Sequence, residues 1–199
     1  MEYTDFMLQR KLPMTFLVIM LAIAVAGATS GAEAAKPLLK TGEVLPLLEG
    51  NFLSGKKARL PENARGKVAL LALGFTYESR HAVEQWCERF AGEFGKTADI
   101  TFYEIPVIGG VGRLARWFID GGMRRGTPEE RHENVITVYG GADSWKQRVS
   151  YKEPRNAYLI LLDRQGVIQW LHAGPFEDTI FADLVAAAGR IAAAHGQGK

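Results

Sequence analysis

The sequence predicts an α/β protein in three layers, a mixed central sheet with helices on both faces. Residues 67–75, KVALLALGF, are apolar without alternation, as in a strand covered on both sides. Val83, Cys87, Phe90 and Phe94 then recur at helical spacing with Trp86 beside them, and DITFYEIPVI at 99–108 reads as the next strand. Strand, helix, strand implies a parallel pair. At the other end, NAYLILLDRQGVIQWLHAG forms a hairpin around the turn residues 163–166. A helix at 177–195 follows, with Phe181, Leu184, Val185, Ala188, Ile191 and Ala192 as its apolar stripe.

The remaining elements fall in order around that frame. Residues 36–66 are an irregular lead-in. Within it, Ser54-Gly55 turns between Phe52-Leu53 and Ala58-Arg59-Leu60, the pattern of a small hairpin. Ser79 stands where it can cap the helix that begins there. Residues 111–122 read as a short helix ended by Gly121-Gly122. At TPEERH, Thr127 is placed as a cap, Pro128 as the first position and Glu130 as the closing acid of a capping box. NVITVYGG at 134–141 reads as a brief strand and turn, and ADSWKQRV as one or two helical turns. The order is β-α-β-α-β-β-α. The domain spans 67–195, and residues 123–156 are an insertion before the C-terminal hairpin.

The N-terminus reads as a secretory signal over residues 1–35. Arg10 and Lys11 precede MTFLVIMLAIAVAGA, and two Ala-x-Ala sites follow at Ala26-Gly27-Ala28 and Ala32-Glu33-Ala34. The alternative is an uncleaved anchor, since residues 12–28 are just long enough to span a bilayer. Either way the protein is expected outside the cytoplasm. The chain has 199 residues, 47% hydrophobic, with 24 basic and 22 acidic side chains. That suits one domain with a real core and argues against a nucleic-acid binder, which concentrates basic charge on one face.

The order of elements resembles that of thioredoxin. Enzymes of that type place Cys-x-x-Cys at the start of the first long helix, where the helix dipole and free N–H groups lower a thiol pKa. Here the turn reads Tyr77-Glu78-Ser79-Arg80-His81. GFTYESRHA also resembles the Gly-Phe-Thr-x-Cys-Pro-x-x-Cys approach of the copper-carrying Sco family, and its cysteine positions fall on Glu78 and Ala82. Dithiol and copper chemistry are therefore not carried over. The cis-proline usual before the third strand is also missing: its position falls near Ala157, and Pro154 lies upstream. The one cysteine, Cys87, excludes an internal disulfide. It sits two turns into the helix on the apolar stripe, where the dipole gives little and a buried core residue is expected. A single-thiol peroxidase or oxidoreductase using Cys87 is the rival enzyme reading, and a copper carrier is a third.

Other clusters point less firmly to chemistry. Glu78, His81 and Glu84 can form an acid–base group at the helix start, or simply complement the dipole. His81, His132, His172 and His195 show no metal-ligand spacing. GGVGRLARW lacks the order of a phosphate loop, so no cofactor is expected. Arg113 and Arg116 share a face, with Arg124, Arg125 and Arg131 close behind. These arginines form either a patch for an acidic partner or lipid headgroups, or a solvated face interleaved with Glu129, Glu130 and Glu133.

Three blocks together are similar to the thioredoxin-like assembly factors of mitochondrial ATP synthase, the ATP-ten family. They are FYEIPVI at 102–108, RRGTPEERHENVITV at 124–138, and NAYLILLDRQGVIQWLHAGPF at 156–176. The second is the most specific, because generic thioredoxins lack its Arg131-His132. The resemblance implies a non-redox thioredoxin fold that binds protein partners during assembly of the ATP synthase membrane sector. It marks Arg131, His132, Arg124, Arg125 and Trp170 as candidate contact residues.

Overall fold

The computed structural model describes residues 36–194 apart from position 111. The expected signal segment and His195 lie outside the described residues. The elements are β1 (Leu48–Phe52), β2 (Lys57–Leu60), β3 (Val68–Gly74), α1 (Arg80–Phe94), β4 (Ile100–Ile108), α2 (Arg113–Gly126), β5 (Ile136–Tyr139), α3 (Ala142–Arg148), β6 (Ala157–Leu162), β7 (Ile168–Gly174) and α4 (Asp178–Ala193). The strands form one sheet in the order β2-β1-β5-β4-β3-β6-β7. β3 pairs parallel with β4 and antiparallel with β6, so the unbroken apolar run is central.

Each side chain of β3 is buried, and alternate residues feed two cores. Val68, Leu70 and Ala72 pack with Trp86, Cys87 and Phe90 of α1 and with Phe181 and Leu184 of α4. Ala69, Leu71 and Leu73 face Tyr103, Ile105 and Ile136 across neighbouring strands, with Trp145 of α3 on the same side. Helices thus cover both faces of the sheet.

Three expectations change. Residues 123–156 are not an insertion outside the frame. β5 lies inside the sheet, parallel to β4 through Val107–Val138 and antiparallel to β1 through Phe52–Ile136. β4-α2-β5 is therefore a second parallel crossover, and β5 ties the lead-in hairpin of β1 and β2 to the same sheet. The second change concerns α2, which runs through Gly121-Gly122 to Gly126 instead of stopping at them. Open space surrounds Gly122, and neither glycine has the positive φ of a helix stop. Third, the capping box at Thr127 does not form. Thr127 is extended at the end of α2, and a 3-10 turn over Glu129–Arg131 has Pro128 at its start with no side-chain cap.

Candidate functional site

The turn from β3 into α1 is held by a reciprocal pair. The Ser79 hydroxyl donates to the Thr76 carbonyl at 2.8 Å, and the Thr76 hydroxyl accepts from the Ser79 N–H at 3.2 Å. Ser79 occupies the N-cap position, but its hydroxyl turns back to Thr76 and makes no cap bond into the helix. The Thr76 hydroxyl also donates to the Pro154 carbonyl at 2.5 Å, which pins the loop before β6 over the helix start. Gly74 lets strand and helix approach: a Cβ there would lie 2.7 Å from Ser79 Oγ and 3.2 Å from Val83 Cγ2. The cis peptide among the described residues is at Leu60–Pro61, not in the Pro154 loop.

The side chains at this turn are not arranged for shared chemistry. Glu78 reaches Arg155 at 3.4 Å, and Glu84 pairs with Arg80 at 2.6 Å one turn up the helix. That partner pulls the Arg80 guanidinium pKa up, through its hydrogen bond and its charge. His81 is exposed, Ala82 is buried under the turn, and Tyr77 projects with 82% of its surface exposed. Among the described residues no group of three His, Cys, Asp or Glu side chains is placed to hold a metal ion.

Cys87 is fully buried in the α1–α4 core. Burial pushes its thiol well above the ordinary value, and the nearby Glu104 carboxyl adds to the rise. A thiolate nucleophile needs the opposite setting. Glu104 itself points from β4 toward α1. Its carboxyl is pushed up to about 7 by burial, which outweighs the pull of Arg131. The two side chains meet at 2.8 Å.

The Arg131-His132 block serves largely as a clasp. Arg131 binds Glu104 and lies over the Phe102 ring at 5.4 Å. The His132 ring contacts the Thr127 carbonyl at 2.9 Å, and its own carbonyl accepts from the Leu53 N–H. Asn134 donates to the Phe102 carbonyl at 2.9 Å. The 3-10 turn is thereby fastened to β4 and to the corner after β1. Arg124 donates to the Leu53 carbonyl at 2.6 Å and shares a shallow pocket with His132, Glu129 and Glu133. Arg125 is exposed on α2. Trp170 is half-buried on β7, stacked on His172 at 5.7 Å and packed against the α1–α4 core. The five candidate contact residues therefore do not form one patch: Arg124 and His132 come together, and Trp170 belongs to another part of the sheet.

A feature that sequence reasoning passed over lies on α2. Leu114, Trp117 and Phe118 are 81%, 68% and 67% exposed. Their spacing of three and four was the available signal, but the same spacing also marks a core-facing stripe.

A mixed sheet with this order and helices on both faces define a thioredoxin-like fold, and a sequence with one cysteine, Cys87, holds no dithiol. Solved structures agree on the fold. A protein named for protein disulfide isomerase from Bacteroides thetaiotaomicron superposes with a TM-score of 0.52 at 19% identity, covering 79% of this chain and 92% of its own. A protein named for the thiol:disulfide interchange protein DsbE from Chlorobium tepidum gives 0.52 at 14% identity, covering 77% and 98%. No curated protein matches the sequence. The family model described as ATP10 protein matches residues 40–190, and the chain belongs to that family.

Proposed function

We propose that this protein is an exported, non-redox binding factor that assists assembly of the ATP synthase membrane sector. One observation carries the reading. In a chain of the ATP10 family, the turn that would hold a dithiol is kept intact by Thr76, Ser79 and Gly74, while Glu78 and Ala82 stand in the cysteine positions. The frame fits presentation of a surface and does not fit thiol exchange. Burial of Cys87 speaks against the single-thiol enzyme, since a nucleophilic thiol must be reachable. Export rests on the N-terminal signal pattern, with the mature chain starting after Ala28 or Ala34. The test is capture from membranes after crosslinking, with the tagged chain as bait. Recovery of ATP synthase membrane subunits is expected, and consistent recovery of a different complex overturns the proposed client.

A further inference from the structure

α2 is a crossover helix built the wrong way round. A helix joining two parallel strands ordinarily buries its apolar stripe against the sheet. Here polar groups hold the inner side. Asp120 accepts from the Tyr139 hydroxyl at 2.6 Å, and Arg116 lies over the Tyr139 ring at 5.1 Å. Ile119 and Met123 are only half-buried. The most apolar side chains, Leu114, Trp117 and Phe118, stand in solvent on the outer side, with Trp117 edge-on to Phe118 at 4.9 Å.

Charge chooses the occupant of that face. Asp120, the one acid in the helix sequence, is turned inward to Tyr139, and Arg116 lies on that inner side with it. Arg124 and Arg125 are exposed, and Arg125 continues the stripe of Phe118 and Gly121 one turn on. Glu129 and Glu130 follow beyond the C-terminal end, so the contact is confined to the helix itself. A narrow apolar stripe with tryptophan that runs into the exposed Arg125 matches the headgroup level of an anionic bilayer.

We propose that α2 seats this protein on the surface of an anionic membrane, with Leu114, Trp117 and Phe118 entering the headgroup–acyl boundary and Arg125 holding a lipid phosphate. The protein lies on the bilayer through this helix and does not span it: among the described residues no helix is long and apolar enough to cross a membrane.

Every described strand and core residue lies at Leu39 or beyond, so a chain starting at Lys36 keeps the whole fold and removes the N-terminal apolar run as a source of binding. That chain is sedimented with vesicles of phosphatidylcholine alone and of equal parts phosphatidylcholine and phosphatidylglycerol. The proposal expects binding to the second, loss of binding in high salt, and a blue shift of tryptophan emission on binding. Trp117→Ser with Phe118→Ser should lower binding by about tenfold or more, each aromatic supplying a substantial share of the buried apolar area. Arg125→Glu, at an exposed position, should lower it about tenfold through charge alone. Circular dichroism and a melting curve confirm that each variant is folded. Absence of binding to anionic vesicles, or equal binding by the folded double variant, overturns the proposal. A dimer on gel filtration that the double variant breaks also overturns it and assigns the face to a second copy.

Discussion

At the residue scale, two groups beneath α1 carry measurable consequences: Cys87 is fully buried, and Glu104 is partly buried beside Arg131. Cys87 faces the α1–α4 core, and both burial and the Glu104 charge oppose its ionisation. The native protein should resist iodoacetamide and react only as it unfolds; rapid alkylation under native conditions would return the thiol to candidacy as a nucleophile. Glu104 sets a pH dependence with a definite sign. Its carboxyl ordinarily titrates at 4.5 and is raised to about 7 in the fold, mainly by burial. Between those values the folded state holds a proton that the unfolded state has lost, so this group's contribution to stability falls as pH rises. His172, whose pKa burial lowers from 6.5, acts in the opposite sense as pH falls through that value. The quantity to measure is therefore the stability of wild type minus that of Glu104→Gln. It should decline from pH 4.5 to about 7 in urea titrations, and a flat difference would show that the pair with Arg131 is fully ionised throughout. One of these two settings was legible beforehand. The helical stripe placed Cys87 inside, whereas Glu104 gains its burial from the Arg131 clasp, which arrives from a separate segment.

At the element scale, β5 decides the shape of the sheet. Its four residues follow a charged stretch and looked like a short piece of an insertion. Their place became visible only through pairing, with β4 on one side and β1 on the other. Gly50 shows how close that seam is: a Cβ would lie 2.6 Å from Ile136 Cγ2 and 2.7 Å from the Thr137 carbonyl. Gly50→Ala should destabilise the protein by about 1–3 kcal/mol, read from denaturant unfolding, because the backbone on the far side cannot yield. An unchanged midpoint would mean the lead-in hairpin is not seated on β5. The hairpins at both ends were readable because their turns carry glycine between apolar runs, and Gly55 and Gly166 do adopt positive φ. The length of α2 was not readable, since paired glycines mark a helix end only when one of them takes the left-handed conformation.

At the scale of the whole molecule, the fold is thioredoxin-like, and its one cysteine lies in the core instead of at the turn before α1. Its class was legible from one buried strand and two flanking motifs, and family membership from blocks that proved to be sheet strands and a clasp. The use of Arg131 and His132 was not legible in the same way. Motif similarity picks out residues without saying whether they face a partner or the protein's own β4. The central claim is that the protein acts in ATP synthase assembly without thiol chemistry. It is tested most directly by measuring assembled ATP synthase in cells that lack this protein and carry either the wild-type chain or Cys87→Ala. The account predicts that assembly drops without the protein and is restored equally by both chains. Failure of a folded, stably produced Cys87→Ala chain to restore it, or normal assembly without any copy, would contradict the account.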